Sequence, residues 1–137
     1  MPMTSSLERE VLVLRAGEGR RYELGAMTAV FKADEGETAS RYSISEWWME
    51  PGFAGVGAHS HAANDEMFYV LQGAPTLLIG TEWTTLGKES FVRIPAGVTH
   101  DFRNDSPERC GLLNVFIPGG FERDMPAIVD WFQANPR

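Results

Sequence analysis

The chain has 137 residues, a formal net charge of −7 and a single cysteine. That length fits one domain able to bury its own core. The acidic balance argues against a nucleic-acid partner or an anionic membrane surface, and the lone Cys110 rules out an internal disulfide.

The N-terminal stretch Met1-Pro-Met-Thr-Ser-Ser has no apolar core, so no signal peptide is expected. Turn signals then recur at short intervals: Glu35-Gly36-Glu37, Glu50-Pro51-Gly52, Gln72-Gly73-Ala74-Pro75, Gly87-Lys88, Pro95-Ala96-Gly97, Asp105-Ser106-Pro107 and Pro118-Gly119-Gly120. Between them lie short runs rich in β-branched and aromatic residues. Strands are expected at 11–14, 43–49, 66–71, 76–79, 82–86, 91–94, 100–104 and 112–117. Short strands at this spacing predict an all-β antiparallel sandwich or barrel in one domain over 1–137. No run reaches the length of a membrane span, and cytoplasm is the expected location. One helix is expected at about 124–134, with Asp124 as N-cap, Pro126 in the first turn and an apolar stripe of Met125, Ile128, Val129 and Phe132.

The three histidines are His59, His61 and His100. His59 and His61 are two apart, so on an extended segment they share a face. Glu66 follows at the head of an apolar strand. Imidazole and carboxylate together suit Fe, Mn, Ni, Zn or Cu. Pro95-Ala96-Gly97 would turn the chain so that His100 opens the next strand. Singly, each histidine is an ordinary residue; jointly they fall into two spaced motifs.

The segment from His59 through His61 and Glu66 to Gly73 resembles the first motif of the cupin superfamily. The segment from Pro95 through Gly97 and His100 to Asn104 resembles the second. The resemblance covers roughly 43–117. Two glycines of the family pattern are displaced. Their places are taken by Phe53 and Glu89, with Gly52 and Gly87 nearby. The resemblance implies a jelly-roll barrel, one divalent transition-metal ion held by His59, His61, Glu66 and His100, and turn roles for Gly73 and Gly97.

Alternation adds the surroundings. If Glu66 faces the barrel interior, so do Phe68 and Val70; if His100 does, so does Phe102. Of the adjacent Trp47 and Trp48, one faces in and one out. Asn114 is a polar residue within an apolar strand, either satisfied structurally or in contact with a ligand. Substrate contacts are therefore expected from Phe68, Phe102, Trp47, Trp48 and Asn114. The opposite face, Met67, Tyr69 and Leu71, is also apolar and needs a cover, which predicts a homodimer. The pattern is similar to that of quercetinase-type dioxygenases. It implies an enzyme acting on a small aromatic or enolic molecule, with Glu66 as both ligand and base. A metal-dependent isomerase or lyase, with Tyr69, Tyr42, Asp65, Glu46 and Asp101 as the free acid–base candidates and Tyr69 and Asp101 placed by alternation on the outer face, and a non-catalytic small-molecule-binding cupin remain the alternatives.

Overall fold

The computed structural model describes residues 10–136. In chain order the elements are β1 (Arg20–Glu23), β2 (Met27–Ala33), α1 (Glu35–Thr38), β3 (Ser43–Met49), β4 (Asp65–Gln72), β5 (Thr76–Ile79), β6 (Glu82–Thr85), β7 (Phe91–Ile94), β8 (His100–Arg103) and β9 (Cys110–Ile117). A 3-10 turn (Phe121–Asp124) then leads into α2 (Met125–Ala134). The strands form a six-stranded sheet in the order β1-β2-β3-β9-β4-β7 and a three-stranded sheet in the order β6-β5-β8. All named pairings are antiparallel. The expected all-β barrel with a short C-terminal helix is borne out.

The alternation that makes β3, β4 and β9 strands also builds the core. Trp47 and Met49, Phe68 and Val70, and Leu112 and Phe116 are all buried on one face of the large sheet. Leu77 of β5 and Phe102 of β8 meet them from the small sheet. Each such side chain contributes about 1.5–3 kcal/mol on burial. Toward one end the inward positions turn polar, with Ser45, Asn114, Glu66 and His100 all buried. That end holds the histidines.

The structure corrects the N-terminal half. Residues 11–14 form no strand and are exposed, Val11 at 92% and Val13 at 72%. The open edge of β2 is taken instead by β1, a charged segment that carries no apolar alternation. Neither β1, β2 nor α1 was expected from the sequence. β2 (MTAVFKA) is buried on both faces along the consecutive apolar residues Ala29, Val30 and Phe31, so its period is obscured.

Helix α2 starts where expected, but Asp124 makes no side-chain capping bond because the chain enters from the 3-10 turn already helical. Met125 and Phe132 of its stripe are buried, and Phe132 packs on Phe53 at 6.3 Å between ring centroids. Among the described residues, no helix is long and apolar enough to cross a membrane. The leader expectation concerns residues 1–9, which lie outside the described ones.

Candidate metal centre

The loop between β3 and β4 carries His59 and His61 and lies against the start of β8. The backbone N–H of His59 donates to the His100 carbonyl at 3.0 Å, and the N–H of His100 donates back at 2.8 Å. A second tie runs from the Gly97 N–H to the His61 carbonyl at 2.8 Å. The Pro95–Gly97 turn, with Gly97 at φ 88°, thereby holds the second histidine of the loop as well as aiming His100.

One ring nitrogen from each of His59, His61 and His100 lies within 4.8 Å of the others, a spacing that fits a shared metal ion. Glu66, the second residue of β4, lies beside them. Its Oε1 is 3.1 Å from His61 Nε2, and its Oε2 is 3.0 Å from His100 Nε2. These approaches are close, yet His61 Nε2, His100 Nε2 and Glu66 Oε2 are buried with no hydrogen bond of acceptable direction. Buried polar atoms are nearly always satisfied, so three orphans converging on one point fit a cation between them. The far ring nitrogens are already committed. His59 Nδ1 donates to the Gly57 carbonyl at 2.7 Å and His100 Nδ1 to the Val98 carbonyl at 2.9 Å. A carbonyl can only accept, so each ring is fixed with Nε2 bare and free to coordinate.

The electrostatics agree with an anionic carboxylate at Glu66. Burial pushes the Glu66 pKa up, but the imidazoles of His100 and His61 outweigh it and hold it down at about 2. Burial lowers His59, and the neighbouring histidines lower it further. Burial also pulls His100 down, but contact with Glu66 reverses the balance and leaves it raised.

His59, His61 and Glu66 line a cavity of about 450 Å³, and His100 is buried behind them. Trp47, Phe68 and Phe102 line it, as expected. Asn114 lines it too, 6% exposed. Trp48 does not. It projects from the other face of β3, where a Cβ on Gly111 would collide with its ring and Arg109 lies over it at 4.6 Å. Alternation from Trp47 forces this orientation. Tyr69 and Asp101 are also off the cavity: Tyr69 is 39% exposed on the outer face, and the Asp101 carboxylate is spent on backbone N–H groups.

Sequence reasoning missed the cavity's far wall, which includes Phe121, Ile128 and Trp131. Phe121 stands 6.0 Å from the His61 ring and 5.1 Å from Phe116. It is positioned by Asp34, a buried carboxylate that accepts the N–H of Gly120 and of Glu122, each at 2.6 Å. No local signal links Asp34 to a turn more than eighty residues later.

The Cupin domain model matches residues 45–116. Quercetin 2,3-dioxygenase of Bacillus subtilis is 29% identical over 123 residues, covering 90% of this chain and 36% of that protein. The chain spans about a third to a half of the length of the curated relatives it matches. Among solved structures, a predicted oxalate decarboxylase from Thermotoga maritima is similar with a TM-score of 0.70 and 16% identity, covering 78% of this chain and 99% of that one. KdgF from Halomonas is similar with a TM-score of 0.70 and 16% identity, covering 83% and 98%. At these identities the two structures speak for the fold alone.

Proposed function

This chain belongs to the cupin family, and on that premise we propose that it is a metal-dependent, dioxygenase-like enzyme acting on a small, neutral aromatic or enolic molecule. The metal would be held by His59, His61, Glu66 and His100. The observation that carries this reading is the set of three buried, unbonded ligand atoms of His61, Glu66 and His100, two of whose residues line an aromatic cavity. When bound, a divalent ion there supplies Lewis acidity toward a substrate oxygen.

The chain's own residues supply the rest. Phe68, Phe102 and Trp47 present apolar walls that accept a flat ligand and exclude water. Asn114 offers a neutral donor and acceptor beside the aromatic walls, so it would orient one polar group of the ligand. Glu66 is held ionised by two imidazoles and would accept a proton at a carboxylate oxygen.

Charge narrows the substrate. Among the described residues, no lysine or arginine lines the cavity, and besides Glu66 the remaining carboxylate there is Asp124. An anionic sugar phosphate or dicarboxylate would find no counter-charge beyond the metal itself. The isomerase or lyase alternative is weakened, since none of its acid–base candidates Tyr69, Tyr42, Asp65, Glu46 and Asp101 lines the cavity. The outer face of the large sheet, with Met67, Tyr69, Phe91, Leu113 and Val115 around a shallow apolar depression, supports a homodimer closed over that face. Light scattering that gives a monomer mass at micromolar concentration would remove the dimer.

The test is to purify the protein without added metal or chelator, measure bound metal by elemental analysis, and follow oxygen uptake with flavonols, catechols and β-diketones. A redox metal near one per chain with substrate-dependent uptake supports the proposal. Bound metal without uptake on any of them would transfer the site to non-oxidative chemistry.

A further inference from the structure

The geometry points to Asp101 as the positioning residue of the metal centre, acting on His59 through the backbone of Gly57. The inference rests on the reading of His59 as a metal ligand.

Asp101 is the second residue of β8, and alternation directs it away from the cavity that His100 and Phe102 face. It is nevertheless 6% exposed, because the loop between β3 and β4 crosses over it. Its Oδ1 accepts the Val56 N–H at 3.0 Å and the Phe102 N–H at 2.8 Å, while Oδ2 accepts the Gly57 N–H at 3.2 Å. Gly57 in turn presents its carbonyl to His59 Nδ1 at 2.7 Å. One residue is thus gripped at its N–H by a carboxylate and holds a histidine ring by its C=O. The ring's Nε2 is left bare and aimed at the other ligands.

The loop needs such a clamp. Gly52, Gly55 and Gly57 have φ of 85°, 110° and 104°, values that only glycine adopts without strain, and glycine loses the most conformational freedom on ordering. The reciprocal His59–His100 backbone bonds fix where the loop crosses β8 but not the torsion of the His59 ring. Asp101 supplies that second constraint, and the fit is close: a Cβ on Gly55 would stand 2.9 Å from Asp101 Oδ2. An ionised carboxylate accepts several N–H groups with both oxygens, whereas an amide offers one oxygen and turns an N–H₂ toward the remaining donor. Asp101→Asn is therefore near-isosteric yet loses the clamp. His100 has a separate support in Val98, so the two rings are held independently.

The experiment uses the full chain, wild type and Asp101→Asn, with Zn(II) as the probe. Affinity is read by competition with a chromophoric chelator. The ring tautomers of the three histidines are read from long-range ¹H–¹⁵N spectra of the metal-free protein. The expected result is a loss of Zn(II) affinity of about tenfold, the lower range for a residue behind a ligand. The Nδ1–H form of His59 should fall while that of His100 is unchanged. Undiminished affinity, or equal changes at His59 and His100, would overturn the assignment, the second outcome marking a general loosening. If the wild type takes up no Zn(II), the metal reading itself fails, and the tautomer arm still shows separately whether Asp101 holds His59. Should Asp101→Asn not fold, Gly55→Ala crowds the same carboxylate from the loop side and is read in the same way.

Discussion

His59 and His100 are bonded to each other through their backbones, N–H to carbonyl in both directions at 3.0 and 2.8 Å, although 41 positions separate them. The bridge brings the first motif's loop onto the strand that opens the second, so the ligand set is assembled by main-chain bonds that side-chain changes leave in place. His59→Ala and His100→Ala should therefore keep the far-ultraviolet circular dichroism of the parent. Metal affinity should fall by more than the roughly 10–100-fold typical of altering a residue behind a ligand. Full metal occupancy in both variants, measured by elemental analysis after dialysis, would contradict the ligand assignment.

Most of this site was legible because its chemistry is local in sequence. His59, His61 and Glu66 lie within one loop and the start of one strand, and His100 follows directly from a Pro-Gly turn. Strands β3, β4 and β9 were legible because their burial alternates, and β5 to β8 because turn signals bound each short run. What escaped depends on contacts between distant segments. Nothing in residues 11–14 says that β2's edge is already occupied, and nothing near Asp34 says that it anchors Phe121. Even the displaced family glycine has a physical trace, since Glu89 stands in that place with φ 73°.

That torsion gives a stability prediction. A residue with a Cβ at positive φ is strained by roughly 1–2 kcal/mol, part of which glycine gives back through the entropy of its unfolded chain. Glu89 is exposed, so no packing is lost on truncation. Glu89→Gly should stabilise the protein by about 0.5–1 kcal/mol. Urea unfolding with an unchanged slope and a higher midpoint would bear this out; a lower midpoint would not.

Asn114→Leu separates ligand recognition from structure. The wild-type amide lines the cavity and is not among the buried polar atoms left unpaired, so an apolar side chain of similar volume in its place costs the fold little. The variant should be about as stable as the parent and should bind metal equally, while affinity for a hydroxylated aromatic ligand drops about tenfold, the equivalent of one hydrogen bond. Unchanged ligand affinity, measured by calorimetry, would return Asn114 to a purely structural role.

Asp34 couples the N-terminal half to the cavity's far wall. It accepts two short backbone hydrogen bonds, and its own N–H donates to Glu37 Oε1 at 3.0 Å. Asp34→Ala orphans the Gly120 and Glu122 N–H groups, a loss of about 2–4 kcal/mol at charge-assisted strength. The Phe121 ring should also lose its fixed place beside His61. Chemical denaturation should show the first effect and weakened ligand binding with intact metal affinity the second. A variant as stable as its parent would mean that those bonds are replaced by water without cost.

The same corner makes a prediction about alkaline pH. The Tyr22 hydroxyl donates to Glu122 Oε2 at 2.7 Å, and burial together with that carboxylate raises its pKa to about 12. In the unfolded chain tyrosine ionises near 10, so between the two values the unfolded state holds fewer protons than the folded one. Stability contributed by Tyr22 is thus complete below about pH 10 and declines as pH rises toward 12. Other tyrosines and the lysines also titrate in this range, and only a difference between variants isolates the effect. Tyr22→Phe removes the ionisable group, so its melting temperature should fall less steeply than the parent's between about pH 9.5 and 11.5. Parallel slopes would show that the hydroxyl titrates alike in both states and that its bond to Glu122 does not hold the proton in solution.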